Sequence, residues 1–123
     1  KMAEADEHFR LGVEAYKAGN YDKAIEELET ATELNHEDHK AFTYLGAAYA
    51  AKGRYNAAIG AFKTAEQIMP GIASIHYNIA QAYEAAGIPT EAEYEYEKAL
   101  SLQPDYPKAL DALAALRKRM SKT

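Results

Sequence analysis

The fold is decided by residues 39–72, which read HKAFTYLGAAYAAKGRYNAAIGAFKTAEQIMPGI. Phe42, Leu45 and Tyr49 recur at spacings of three and four, so these side chains share one face of a helix. Gly53 follows that face at the place where a left-handed cap often ends a helix. The first half of the stretch therefore predicts an amphipathic helix followed by a tight turn.

The second half of the stretch predicts another helix, which begins near Tyr55. Ala58, Phe62 and Ala65 fall on one side of it, again at helical spacing. Pro70 ends this helix, because proline lacks the N–H that continues a helix and disfavours helical geometry in the residue before it. The whole stretch thus predicts a helix–turn–helix unit of 34 residues.

The same unit occurs once before and once after this stretch, with no gap. Self-similarity at a fixed period is the sequence signature of repeat architectures. We therefore predict an all-α fold, an α-solenoid with repeats at residues 5–38, 39–72 and 73–106. The equivalent positions are Leu11/Leu45/Ile79, Gly12/Gly46/Ala80, Gly19/Gly53/Gly87, Ala24/Ala58/Ala92, Leu28/Phe62/Tyr96, Ala31/Ala65/Ala99 and Leu34/Ile68/Leu102.

Two segments need the 34-residue register for their interpretation. Residues 91–97, EAEYEYE, alternate as a half-buried strand would, but Ala92 and Tyr96 occupy helical columns of the repeat, so we predict a helix. Residues 107–120 repeat the first-helix pattern, and no second helix follows them. They predict a capping helix, which covers the end of a stack. The expected total is seven helices in a single domain, residues 1–123.

Charge alternates along the chain in four bands. Residues 5–38 are net −7, residues 39–72 net +3, residues 73–106 net −5 and residues 107–123 net +4, within a total of −5. The negative total argues against nucleic acid as the main partner. The basic band of the middle repeat is complementary to an acidic band of a neighbouring copy, so salt-sensitive self-association is one possible function.

Several classes of protein are disfavoured by what the sequence lacks. It contains no cysteine, so disulfides and thiol chemistry are absent. No run of about 18 apolar residues occurs, so we expect no membrane span. Residues 1–7, KMAEADE, do not resemble a secretory signal, and we expect a cytoplasmic location.

The repeated columns resemble the tetratricopeptide repeat. Its 34-residue pattern has a bulky residue, then Leu-Gly, Tyr, Gly, Ala, an aromatic residue or leucine, Ala and Pro, and the resemblance covers residues 5–106. The positions that depart from the pattern are His8, Ala15, His36 and His76. Three of these lie in the first repeat, so we predict the earliest amide exchange in residues 3–18.

The resemblance implies a right-handed superhelix whose first helices line a concave groove. Such a groove binds a peptide or helix of a partner protein, so the resemblance implies a protein–protein interaction module or adaptor. Carried over from the family, the groove positions in this chain are Asp6, Phe9, Val13, Tyr16, Lys40, Thr43, Ala47, Ala50, Ser74, Tyr77, Gln81 and Glu84.

The predicted groove is apolar and aromatic rather than cationic. Family members that grip the C-terminal carboxylate of chaperones carry Lys, Arg and Asn at inner positions. The corresponding residues here are Phe9, Val13, Thr43, Ala47, Tyr77 and Gln81. We therefore expect a partner segment with apolar side chains, in an extended or helical conformation. The alternative interpretation is that the aromatic side chains pack between helices.

No catalytic, metal or cofactor site is predicted, so we expect a protein that is not an enzyme. The sequence has no Gly-rich phosphate loop, no His-Glu-x-x-His and no nucleophile elbow. His8 and His76 lie two repeats apart, too far to share a zinc ion whose ligands bind at about 2.1 Å. Residues 36–39, HEDH, suit a solvated turn, and the basic residues 117–122 suit a helix C-terminus. A self-assembling scaffold is the alternative to a partner-binding adaptor.

Overall fold

The computed structural model describes residues 2–122, and over that range it consists of seven α-helices and no strand. The helices are α1 (Met2–Lys17), α2 (Tyr21–Leu34), α3 (His39–Ala51), α4 (Tyr55–Ile68), α5 (Ala73–Ala85), α6 (Pro89–Leu102) and α7 (Pro107–Met120). This confirms the predicted all-α solenoid, and residues 91–97 lie inside α6. The predicted domain limits, residues 1 and 123, lie outside the described range. The division into one domain with these repeat boundaries stays a prediction.

Three glycines end the first helix of each pair. Gly19, Gly53 and Gly87 have φ angles of 81°, 77° and 80°, in the left-handed region that a side chain disfavours. At the first turn, the N–H of Asn20 donates to the carbonyl of Ala15 at 2.8 Å, and the other two turns have the equivalent bond at 2.9 Å. This is the Schellman arrangement, in which the turn satisfies carbonyls at the helix end. The prediction of a left-handed glycine cap at Gly53 is confirmed.

The helix starts use two different devices. The side chain of Asp38 accepts hydrogen bonds from the backbone of Lys40 and Ala41 at the start of α3, and Asn20 caps α2. Such caps satisfy N–H groups that have no partner inside the helix. In contrast, α6 and α7 begin with Pro89 and Pro107, whose missing N–H costs little at the first helical position.

Within each pair the two helices approach closely at one column of small residues. A Cβ atom on Gly12 would lie 2.5 Å from Leu28, and one on Gly46 would lie 2.6 Å from Phe62. Both distances are shorter than the non-bonded contacts that Cβ atoms make in proteins. These positions therefore accept only glycine unless the neighbouring side chain moves. The third pair has Ala80 at this column, and it packs in the same cluster as Tyr96.

The pairs stack so that each second helix packs against the first helix of the following pair, and α7 packs against α6. The predicted column of small residues, Ala24, Ala58 and Ala92, is fully buried. In addition, α1 contacts α3 and α3 contacts α5, which places the first helices side by side. No helix within residues 2–122 combines the length and apolar character that crossing a bilayer requires.

Candidate functional site

The first helices are separated by open clefts that contain most of the predicted groove positions. The cleft between α3 and α5, here called the central cleft, has a volume of about 410 Å³. Its lining is formed by Tyr16, Ala47, Ala50, Ala51, Tyr55, Phe62, Tyr77, Asn78, Gln81, Ala82 and Ala85. None of these residues is charged. The central cleft therefore offers small and aromatic surfaces with a few amide and phenol groups.

The twelve predicted groove residues are divided among several places. Five of them line the central cleft, namely Tyr16, Ala47, Ala50, Tyr77 and Gln81. A smaller cleft of about 150 Å³ at the N-terminal ends of α3 and α5 contains Lys40, Thr43 and Ser74. Glu84 lines a third cleft of about 560 Å³ between the α5–α6 turn and α7. Asp6, Phe9 and Val13 line none of these clefts.

Several aromatic rings at or near the predicted groove positions pack on one another. The ring of Tyr44 lies between those of Phe9 and Tyr16, at centroid distances of 5.9 and 5.8 Å. Tyr77 packs on Tyr96 at 5.9 Å and also on Tyr106. The packing expected under the alternative interpretation is therefore present, and the binding role of these side chains stays a prediction. Tyr16 and Tyr77 pack between helices and also line the central cleft.

A hydrogen-bonded chain fixes the wall of α5. The side-chain amide of Gln81 donates to the Tyr96 hydroxyl at 2.6 Å, and that hydroxyl donates to Glu84. Burial, and then the bond to the Glu84 carboxylate, raises the pKa of Tyr96 well above its usual range. Arg119 of α7 pairs with the same carboxylate. Glu84 is therefore held by the protein's own groups.

Six residues of the central cleft were not among the predicted groove positions. They are Ala51, Tyr55, Phe62, Asn78, Ala82 and Ala85. The carry-over from the family took positions on one face of each first helix, whereas Tyr55 and Phe62 belong to α4. Asn78 adjoins the predicted Tyr77 and lies on the same helix face as Gln81, three positions later, so helical spacing along α5 could have indicated it.

A separate polar hollow of about 230 Å³ lies beside α4, α5 and α6. His76 is buried there, and its Nδ1 lies 2.8 Å from a carboxylate oxygen of Glu95, which is also buried. The other ring nitrogen faces Glu66 at 4.0 Å. His8 and Glu27 form the equivalent contact in the first pair, at 2.7 Å. Across residues 2–122 no group of three or more His, Cys, Asp or Glu side chains is arranged to hold a metal ion.

The basic C-terminal residues form contacts with neighbouring helices. Arg117 binds Glu93 at 2.8 Å and also Glu97, both on α6. These carboxylates raise the pKa of Arg117 above its ordinary value. The favourable position of cations at a helix C-terminus is thus accompanied by ion pairs that tie α7 to the stack.

Comparison with protein families identifies the repeat. Models described as "Tetratricopeptide repeat" match residues 9–71 and 73–106. "Tetratricopeptide repeat protein 14" of Mus musculus is 32% identical over 121 residues, which is 93% of this chain and 16% of that protein. "Superkiller protein 3" of Schizosaccharomyces pombe is 36% identical over 94 residues, 76% of this chain and 6% of that protein. The chain therefore spans less than a fifth of the length of these curated relatives.

Solved structures with the same fold include complexes with peptides. The first such domain of Spaghetti (RPAP3), bound to the HSP90 peptide SRMEEVD, has a TM-score of 0.92 at 20% identity and covers 98% of this chain and 96% of that one. YrrB, a TPR protein with an unusual peptide-binding site, has a TM-score of 0.86 at 29% identity, and the match covers 89% of this chain and 56% of that one. The helix pairs, their glycine caps and the matching family models agree, and the chain belongs to the tetratricopeptide repeat family.

Proposed function

We propose that this chain is a protein-interaction module that binds a segment of a partner protein across α1, α3 and α5. The observation that carries the proposal is the central cleft, because it is open, uncharged and bordered by aromatic side chains. Its volume of about 410 Å³ lies within the range of ligand-binding clefts, roughly 300–1,000 Å³. Small residues on α3, such as Ala47 and Ala50, leave room for side chains of the bound segment.

Proteins of the same fold support this proposal by their own complexes. The Spaghetti (RPAP3) domain binds an HSP90 peptide, and the secretion chaperone SycD of Yersinia enterocolitica is in complex with a peptide of the translocator YopD. The Spaghetti domain is 20% identical to this chain and SycD is 22% identical, so the peptides that they bind do not define the partner of this chain.

The chemistry of the groove positions favours a segment with apolar side chains. Among the twelve predicted positions the only cation is Lys40, which is exposed at the start of α3. An acidic tail such as the one in SRMEEVD needs several cationic groups to offset its charge. The central cleft offers none, and burying an unpaired carboxylate there would be unfavourable.

Selection of peptides from a random 12-residue library displayed on phage tests the proposal. We expect apolar peptides that bind the wild-type chain and lose about tenfold or more in affinity with Ala85→Arg, because the arginine side chain would enter the central cleft. Ala86→Arg is the matched control, since Ala86 is the adjacent exposed residue and does not line the cleft. Failure to select any peptide, or equal binding by both variants, would contradict the proposal.

Self-association through the charge bands is the alternative function. Part of the banding already has an internal role, because Lys52 of the basic band pairs with Asp22 of the first acidic band at 3.3 Å. The contacts of Arg117 with α6 join the last two bands in the same way. Light scattering at low and high salt distinguishes the two functions. A mass that falls with added salt would support self-association, and a monomer in both conditions would exclude it.

A further inference from the structure

The position of the central cleft recurs along the chain, because each helix pair meets the next in the same way. Between the first and second pairs this position is filled by the rings of Tyr16, Tyr21 and Tyr44. Tyr16 lies 5.6 Å from Tyr21 and 5.8 Å from Tyr44, measured between ring centroids. Such tilted and edge-on arrangements are those that aromatic pairs prefer. The chain therefore shows what fits at this position when it is filled.

Between the second and third pairs, two of the three rings are missing. The residues 34 positions later are Ala50, Tyr55 and Asn78. Tyr55 keeps the aromatic wall, whereas alanine and asparagine replace the other two tyrosines. The central cleft is open at this point because these side chains are too small to fill it.

The side-chain amide of Asn78 is a polar group in the cleft that is left available to a bound segment. Asn78 is half-buried, and its side-chain amide forms no hydrogen bond with any residue in the range 2–122. Asn78 occupies the repeat position that Tyr44 occupies 34 residues earlier, where the tyrosine contributes a ring to the filled cluster. An amide at this point can donate to, or accept from, a hydroxyl or peptide group that enters the cleft.

The third equivalent position has a different chemistry. Its residues are Glu84, Pro89 and Ala112, so no ring remains. The ion pair between Arg119 and Glu84 lies on the wall of this cleft. Of these three equivalent positions, the central cleft is the one suited to an uncharged aromatic side chain. The first position is already filled by rings, and the third contains charged groups.

We propose that the central cleft is the receptor for a single aromatic side chain, tyrosine or phenylalanine, from an uncharged stretch of the bound segment. The entering ring restores the aromatic cluster that Tyr16, Tyr21 and Tyr44 form within the chain, packing against Tyr55 and Tyr77. The absence of charged lining residues disfavours an acidic or basic side chain at the same place. This proposal rests on the proposed function, because it names the side chain by which the segment is anchored.

A direct test uses small probes and two-dimensional ¹H–¹⁵N NMR spectra of the chain. We expect N-acetyl-tyrosinamide to shift the backbone amides of Ala50, Ala51 and Ala85 saturably, with a Kd on the order of 1 mM. N-acetyl-leucinamide should bind at least about fivefold more weakly, because it cannot form the ring contacts. Equal shifts by the two probes, or no saturable shifts by either, would overturn the proposal.

Two variants locate the probe. Tyr55→Ala removes one of the two rings against which the probe packs and should weaken N-acetyl-tyrosinamide binding by about fivefold or more. Tyr21→Ala is its repeat-equivalent control at the filled position and should leave the Kd unchanged. The double variant Ala50→Tyr with Asn78→Tyr should fold, since the same three residues coexist at 16, 21 and 44, and should bind no probe. Unchanged probe binding in Tyr55→Ala would overturn the proposal even if the double variant failed to fold.

The phage selection separates failure of this inference from failure of the proposed function. Selected peptides that lose binding with Ala85→Arg but share no aromatic residue would uphold the proposed function and reject the aromatic anchor. No selected peptide, together with saturable binding of N-acetyl-tyrosinamide, would reject the proposed function while leaving an aromatic-binding cleft.

Discussion

The first and third helix pairs contain the same histidine–glutamate contact in different surroundings. His8 and Glu27 are 68 residues before His76 and Glu95, and both pairs meet through the histidine Nδ1. The His8 side chain is 36% exposed, whereas that of His76 is 7% exposed. The difference arises because α4 packs against α5 and covers His76, while no described helix covers the corresponding face of α1.

The outer face of α1 shows the same contrast in its neighbouring residues. Arg10 binds Glu7 at 2.7 Å and Glu14 at 2.5 Å on that exposed face. The equivalents of the two glutamates in the second pair are Ala41 and Ala48, which are fully buried against the preceding helices. Side chains at equivalent repeat positions thus contribute differently to the free energy of unfolding. The reason is that packing of a neighbouring helix pair determines whether water reaches them.

The largest change in stability is expected when the buried histidine is removed. His76→Ala should lower the free energy of unfolding by about 3 kcal/mol, because it removes packing and leaves the buried Glu95 without its hydrogen-bond partner. His8→Ala, the matched control, should cost less, about 1 kcal/mol, since its contact is partly exposed to water. Urea unfolding measures both. Equal losses for the two variants would show that burial does not separate the two contacts.

An intermediate effect is expected in native-state amide exchange. Residues 3–18 include most of α1, whose outer face is exposed. Their amides should therefore exchange about tenfold faster than those of residues 42–62, a difference of about 1.4 kcal/mol in the free energy of local opening. Mass spectrometry of exchanged fragments, or NMR, resolves the two segments. Protection of residues 3–18 equal to that of residues 42–62 would rule out the difference in stability.

The smallest effect is expected when the buried contact is replaced as a whole. The middle pair has Phe42 and Ala61 at the positions of His76 and Glu95. A His76→Phe, Glu95→Ala double variant should therefore lose no more than about 1 kcal/mol, because replacing both polar partners with apolar groups leaves nothing unsatisfied. Thermal and urea unfolding against the His76→Ala variant provide the comparison. A loss as large as that of the single variant would mean that the polar contact itself stabilises the fold.

The sequence alone predicted the helices because their signals are local or strictly periodic. Gly53 indicated a left-handed cap, and the alternation of residues 91–97 was correctly outweighed by the repeat register that places Tyr96 in a buried column. The contact between His76 and Glu95 was not predicted, because it depends on how two helices rotate against each other across a turn.

The candidate site could be predicted only in part for a similar reason. Positions such as Ala47 and Tyr77 follow from the family resemblance, and both line the central cleft. The division of the predicted positions among several clefts does not follow from that resemblance, because it depends on how side chains of different helices pack. The contribution of Tyr55 from α4 was missed since the carried-over positions lie on first helices alone.

The fit of Gly12 against Leu28, and of Gly46 against Phe62, limits how this protein can be recombined. Each first helix is matched in shape to its own second helix, and the third pair uses a different match, Ala80 with Tyr96. A chimera that joined α5 to α4 would bring the Cβ atom of Ala80 towards a ring that has room only for glycine. Crossover points for gene shuffling therefore belong in the turns between pairs, and the smallest exchangeable module is an entire pair.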